Sequence, residues 1–162
     1  MIEMLEREII PQLLKLHPVS PEHQKQMEEN PQIPLFTLVF DREAWSPDFF
    51  VRLWNTHRIA VITYRKNVTD KWDESLFSNY TVKTYIEEEE MKLHIQNVVE
   101  AGFTMREVRK LQSDGHQVSI VTTHPLLTIE AIAGNLFARR LLSLPKYGIR
   151  KIGCVICVRI IQ

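Results

Sequence analysis

The chain has 162 residues, of which 44% are hydrophobic, and it carries twenty basic and twenty acidic side chains. This length suffices to bury one sizeable core and predicts a single domain, while the net charge near zero excludes the excess of Lys and Arg that usually marks a nucleic-acid binder. The sequence has neither a signal-peptide apolar region nor an 18-residue apolar stretch, so we expect a reducing, cytoplasmic setting rather than secretion or a membrane span.

The first 34 residues predict a helix followed by a connecting segment. Residues 2–16 have apolar side chains at near-helical spacing. Pro11 lies inside this pattern and is expected to end or kink the helix, because proline has no amide hydrogen to donate. Residues 17–34 are rich in Pro, Glu, Gln and Asn, a composition typical of a connection, here with room for a short helix.

An apolar run at residues 35–45 contains Asp41 with Arg42 directly behind it. Folds of the α/β type place metal-binding or catalytic groups at the carboxyl end of a buried strand, because the strand is rigid and its end opens onto a crevice. The pattern therefore favours Asp41 for a chemical role, with a turn or cap carboxylate as the alternative. On the local sequence alone, Arg42 is interpreted as a solvated or paired cation.

A helix and a second strand follow this run. Ser46 and Pro47 indicate the helix start, with Ser as the cap and Pro at the first helical position, and the helix is predicted to stop near His57. Residues 58–65 are apolar and β-branched, which predicts a strand. A strand, helix, strand unit of about 30 residues indicates a right-handed parallel crossover.

Residues 66–123 predict an antiparallel β insertion with one solvent-facing side. The turn signals are Ala101-Gly102 and Asp114-Gly115, and the four consecutive glutamates at residues 87–90 are interpreted as a solvated acidic loop or turn. The predicted strands are residues 81–86, 91–99, 104–111 and 117–123.

Thr128 is the predicted cap of a following helix that presents Arg139 and Arg140 in its last turn, where cations complement the helix dipole. Residues 131–162 contain no acid and six bases, which predicts a positive field at this end of the molecule. Cys154 and Cys157 form a CxxC pair, but without a second pair or a histidine cluster the spacing favours two ordinary thiols over a zinc site.

Three segments in order and spacing resemble the catalytic domain of bacterial insertion-sequence transposases of the DDE type. They are LVFDREAWSPDFF, HRIAVITYRK and LQSDGHQVSIVTTHPLLTIEAIAGNLFARR, and the similarity covers about residues 30–140. The resemblance implies an RNase H-like fold interrupted by a β insertion. We therefore predict an α/β chain with a partial RNase H-like core (strand, helix, strand), an antiparallel β insertion at about 66–123, a following helix, and a divergent tail at about 141–162, all within one incomplete domain spanning residues 1–162.

The resemblance also implies a chemistry. In such enzymes three carboxylates hold two Mg²⁺ ions roughly 4 Å apart, which activate a water or a 3′ hydroxyl and stabilise the leaving oxygen. Asp41 matches the second of these carboxylates. Arg139 matches a position near the scissile phosphate, and Arg42, Arg139 and Arg140 are the expected contacts to the DNA of transposon ends. No membrane partner is implied, and a homo-oligomer is one possibility.

The sequence departs from the family pattern at the other two carboxylates. No strand with an Asp precedes Asp41 among the forty residues before it, and Leu142 or Ser143 stands where the resemblance places the catalytic Glu. The chain is therefore interpreted as truncated at both ends, with an altered reading frame near residue 140 as a hypothesis for the tail. Translating the neighbouring frames of the gene tests that hypothesis.

Three functions follow from these observations. The first is a piece of a DDE transposase that is inactive alone, so enzyme status is left open. The second, from another class, is a non-catalytic remnant that binds DNA or another protein through its basic carboxyl end. The third is a small metal-dependent nuclease, which is disfavoured because only Asp41 occupies a credible ligand position.

Overall fold

The computed structural model describes residues 2–40, 45–84 and 87–137. Within these residues the chain forms a six-stranded mixed sheet with helices on both faces. The strand order is β1-β2-β6-β5-β4-β3. The strands are β1 (Phe36–Val39), β2 (Ile59–Tyr64), β3 (Ser78–Lys83), β4 (Glu88–Glu100), β5 (Phe103–Leu111) and β6 (Gln117–Thr122). The helices are α1 (Ile2–Met4, Leu5–Ile9 and Ile10–Leu16 in succession), α2 (Pro21–Glu29), α3 (Pro47–His57) and α4 (Ile129–Phe137), with a 3₁₀ turn at Glu74–Leu76.

The predicted strand, helix, strand unit is confirmed. β1 and β2 are parallel neighbours, with Val39 opposite Ile62, and α3 connects them. Pro47 occupies the first turn of α3 as predicted, although the Ser46 side chain makes no capping hydrogen bond. The helix ends because Arg58 adopts the left-handed conformation with φ of 53°, which turns the chain directly into β2.

The remaining four strands form the predicted antiparallel unit, and they extend the same sheet. β6 lies antiparallel to β2, with Ile62 opposite Thr122, so the insertion joins the parallel unit edge to edge. One prediction within this unit is wrong: Glu88–Glu90 belong to β4 rather than to an acidic loop, because they pair with β3, Glu88 opposite Lys83. Their side chains are exposed, as expected for glutamates on a strand.

Two hydrophobic clusters cover the two faces of the sheet. The first lies between the sheet and the helices α1 and α3, and the second lies between the sheet and α4. Phe49, Phe50 and Leu53 of α3 are buried in the first cluster, because their spacing places them on one face of the helix. The second cluster takes Ile129, Ile132 and Ala133 from α4 and includes Val39, Ile62, Met91, Leu93, Val108 and Ile120 from the strands.

The helical segment α1 continues through Pro11, so the proline does not end the helix. The turn before Pro11 is widened into a π-helix at Leu5–Ile9, and the amide of Ile10 donates to the carbonyl of Leu5, five residues back. Pro11 then stands in the first turn of the next α-helical stretch, where its missing N–H is harmless. Leu5 and Ile10 are buried against the sheet, and this packing supports the irregular turn.

Candidate functional site

The four residues predicted to form the site, namely Asp41, Arg42, Arg139 and Arg140, lie outside the described residues. The elements that lead to them are described. The amide of Phe40 donates to the carbonyl of Ile62 over 2.9 Å, so the backbone contact with β2 continues to the residue directly before Asp41. Val39 and α4 pack in the same hydrophobic cluster. Phe40 itself belongs to the cluster on the opposite face of the sheet, and α4 at Gly134 lies against Lys83 of β3, the edge strand farthest from β1 in the strand order.

Two threonines of the GHQVSIVTT segment form side-chain hydrogen bonds with the backbone of β2. The Thr122 hydroxyl donates to the carbonyl of Val61 over 2.8 Å, and the Val61 amide donates to the Thr123 hydroxyl over 2.9 Å. Gly115 opens this segment with φ of 82°, a conformation that favours glycine in the turn between β5 and β6. The polar side chains of this segment thus hold the antiparallel unit against the parallel one.

A buried ionic cluster lies on the sheet face opposite α4, centred on Glu107 of β5. Both Glu107 and Arg109 are 0% exposed. Glu107 accepts hydrogen bonds from Arg65 over 2.7 Å, from Arg109 over 2.8 Å and from the Ser119 hydroxyl over 2.6 Å. Arg65 also pairs with Glu100. Every charge in the cluster therefore has an opposite charge in contact, which is the condition for tolerating ions inside a protein.

The same cluster also binds the connecting segment 66–77, which runs from β2 to β3. Arg109 donates to both carboxylate oxygens of Asp70 over 3.0 and 2.9 Å, and its guanidinium lies 4.1 Å from the centre of the Trp72 ring. Gln117 completes the attachment by exchanging hydrogen bonds of 2.7 and 3.0 Å with the backbone of Trp72. Slight burial opposes ionisation of Asp70, but the hydrogen bonds and charge of Arg109 prevail and lower the pKa of that carboxyl.

Sequence reasoning missed this cluster. The available signal was the pair Glu107 and Arg109, because two charged residues two positions apart on a predicted strand must face the same side of the sheet. The cluster offers little for catalysis, since its groups are occupied by one another. Among residues 2–40, 45–84 and 87–137, no group of three or more His, Cys, Asp or Glu is arranged to hold a metal ion.

The loop that enters α4 is held by a second set of polar contacts. Arg106 of β5 donates to the carbonyl of Leu127 over 2.5 Å, and the Leu126 amide donates to Nδ1 of His124 over 3.1 Å. The Thr128 hydroxyl accepts from the Ala131 amide over 3.1 Å, which confirms the predicted cap. Burial, together with the adjacent Arg106 guanidinium, lowers the pKa of His124 to about 4.

We predict that His124 makes the stability of the fold depend on pH. Its pKa is about 4 in the folded chain against 6.5 for the free side chain, so the unfolded state binds the proton first. The stabilisation is complete above about pH 6.5 and is lost as the pH falls to about 4. With allowance for the partial exposure of the ring, we expect a loss of about 1–2 kcal/mol.

Urea unfolding of the wild type and of His124→Asn at several pH values measures this effect. The carboxylates titrate in both proteins, so their contribution cancels when the two free energies of unfolding are subtracted. The gap between the two free energies of unfolding should change steadily between pH 6.5 and 4, and two parallel curves would contradict the assignment.

Comparison with known protein families places the chain among the transposases. The family model Transposase_29, described as "Transposase protein", matches residues 1–155. The match covers nearly the whole chain, and the chain therefore belongs to this transposase family. No curated protein and no solved structure matched it. The matched range contains all four predicted site residues and also extends into the segment after residue 141 that was interpreted as a divergent tail.

The family match confirms the transposase assignment made from the three sequence segments. In the part of the chain that the structure describes, no helix is long and apolar enough to cross a membrane.

Proposed function

We propose that the protein is of the DDE type among insertion-sequence transposases, a class with an RNase H-like core that cuts and joins DNA strands with the help of metal ions, and that this polypeptide does not perform the reaction alone. The observation that carries this proposal is the position of Asp41 within a transposase family chain. It directly follows Phe40, at the end of a strand whose residues are at most 4% exposed and which is held in parallel pairing by β2. A rigid buried strand is the support that a metal-binding carboxylate requires.

Mg²⁺ is the metal that this chemistry would use, with Asp41 as one ligand. Among the described residues alone, no group of three or more His, Cys, Asp or Glu is arranged to hold a metal ion. The position that the family resemblance assigns to a catalytic Glu carries Leu142 or Ser143. One carboxylate does not organise a two-metal centre, so we do not expect this polypeptide alone to perform strand cleavage or transfer.

The charges of the chain support contact with DNA through the segment after α4. The first 137 residues carry fourteen basic and twenty acidic side chains, whereas the last 25 carry six basic and no acidic ones. Most arginines of the described part bind other groups of the same chain. Arg52 pairs with Glu6, for example, and Arg58 donates hydrogen bonds to the carbonyls of Met27, Asn30 and Ile33. We therefore propose Arg139 and Arg140, together with Arg42 beside Asp41, as contacts to DNA phosphates.

Salt-dependent DNA binding tests this part of the proposal. Each phosphate contact adds about 0.9 to the slope of log affinity against log salt, so the double substitution Arg139→Gln and Arg140→Gln should lower the slope by about 2. A matched control removes two exposed lysines of the helical amino-terminal region, Lys15→Gln and Lys25→Gln, and should leave the slope unchanged. An unchanged slope for the arginine variant, or equal losses in both variants, would contradict the assignment.

A second candidate function, DNA binding without cleavage, is favoured by Leu142 or Ser143 at the expected Glu position. A nicking assay on the purified chain with Mg²⁺ or Mn²⁺ tests the expectation that both candidates share, namely that this polypeptide alone does not cut DNA. We expect no product from this polypeptide alone. Nicking that disappears in Asp41→Ala would overturn the non-catalytic interpretation and support an active metal centre.

A further inference from the structure

Arg106 stands apart from the other arginines of β5 and its neighbours because it binds backbone rather than carboxylates. Its Nη1 atom lies 2.5 Å from the carbonyl oxygen of Leu127, with the carbonyls of Pro125 and His124 at 3.4 and 3.5 Å. In the described chain no carboxylate contacts this guanidinium, whereas Arg65 and Arg109 on the other face of the sheet both pair with Glu107.

The carbonyls that Arg106 holds all belong to the loop that leads into α4. All three carbonyls face one atom, Nη1, at the end of the rigid, planar guanidinium. A lysine ammonium sits on a flexible side chain that is one bond shorter, so it does not take the same position. The loop has further internal ties: the His124 amide donates to the Thr122 hydroxyl over 3.0 Å, and Leu126 donates to the His124 ring. Arg106 is the group that links this loop to the sheet beneath it through β5.

This linkage fixes where α4 starts on the sheet. Thr128 caps the helix one residue after Leu127, and the Ile132 amide donates to the Thr128 carbonyl over 3.0 Å. Ile129, Ile132 and Ala133 then pack onto the sheet. A displacement of the Leu127 carbonyl is therefore passed directly to the first turn of the helix.

We propose that Arg106 is a positioning residue for DNA binding: by holding the loop at 124–127 it sets the start of α4, the helix that precedes Arg139 and Arg140. The DNA part of this inference rests on the proposed function, while the effect on α4 does not. Arg106 acts through the backbone it binds, and its charge alone does not replace it.

The test compares Arg106→Lys, which keeps the charge but loses the rigid guanidinium and part of the reach, with Arg106→Met, which loses the charge and the donors. Lys92→Met is the matched control, because Lys92 is an exposed cation on β4 whose side chain points to the face away from α4. Hydrogen exchange is followed at the amides of Leu126, Ala131 and Ile132. Both Arg106 variants should exchange about tenfold faster there, with an unchanged rate in the control. Wild-type exchange in Arg106→Met, or full protection in Arg106→Lys, would overturn the inference.

DNA affinity is measured on the same proteins, with the thermal midpoint to show that each is folded. We expect Arg106→Lys to bind DNA several-fold more weakly than the wild type although its charge is retained. Wild-type affinity in Arg106→Lys combined with weak binding in Arg106→Met would show a direct charge contact and refute the positioning role. If Arg106→Met does not fold, hydrogen exchange and DNA affinity are both judged from Arg106→Lys. If the wild type itself does not bind DNA, the proposed function fails, while the exchange data still decide what Arg106 does to α4.

Discussion

Replacement of Arg109 by methionine lowers the free energy of unfolding by about 3–5 kcal/mol, the range expected when one member of a buried ion pair is removed. Glu107 is fully buried and would retain only Arg65 and Ser119 as partners. The connecting segment 66–77 would lose both the bidentate contact to Asp70 and the guanidinium beneath Trp72. Urea unfolding followed by tryptophan fluorescence measures the loss.

Asp70→Asn is the matched control for this prediction, because it removes the other partner of the same arginine. The Asp70 side chain is 60% exposed, so water replaces part of the contact, and we expect a loss of about 1 kcal/mol or less. A larger loss of stability in Arg109→Met than in Asp70→Asn would show that the buried contact with Glu107 contributes more than the exposed contact with Asp70. Equal losses in Arg109→Met and Asp70→Asn would mean that the surface pair, and not the pair with Glu107, stabilises the fold.

Gly134→Ala is expected to destabilise the fold by about 1–3 kcal/mol, the usual cost of overpacking, even though alanine is the better helix former by about 1 kcal/mol. A β-carbon at position 134 would lie 2.7 Å from the backbone carbonyl oxygen of Lys83 and 3.4 Å from Cγ1 of Val82. A backbone atom of a paired strand does not move aside easily, so α4 itself must shift away from β3.

Urea unfolding of Gly134→Ala beside Asn135→Ala gives the measurement. Asn135 lies on the same helix, and its side-chain amide donates to the Ala131 carbonyl one turn earlier. We expect Asn135→Ala to be nearly neutral. A Gly134→Ala protein as stable as the wild type, or more so, would show that helix propensity outweighs the contact with Lys83.

The secondary structure of the chain followed well from local signals. Pro47 at the start of α3, the Thr128 cap of α4 and the turns at Ala101-Gly102 and Asp114-Gly115 act over a few residues, and the structure has helices and strands beginning or ending at each of them. The error at Glu88–Glu90 has a local origin too: four glutamates suggest a solvated turn, but exposed charges are equally compatible with a strand near the sheet edge.

The candidate site followed from the sequence only in part. The position of Asp41 behind a buried strand was visible in the pattern of residues 35–41. The transposase family, which the family match confirms, was visible in three sequence segments. The DDE chemistry, the role of Asp41 and the contacts of Arg42, Arg139 and Arg140 stay predictions. The ionic cluster at Glu107 escaped notice because a charged pair on a strand looks the same whether it faces water or the interior.

By itself, the sequence determined the elements, the parallel and antiparallel units and the family, because capping, alternation and turn residues act between near neighbours. Only the tertiary structure decided that β6 lies beside β2, that Pro11 is accommodated by a π-turn, and that Arg106 and Arg109 hold separate segments on opposite faces of β5. The physical reason is the distance along the chain. Arg109 meets Asp70 across 39 positions, and Val61 meets Thr123 across 62, and contacts of that span exist only after the sheet has brought the segments together.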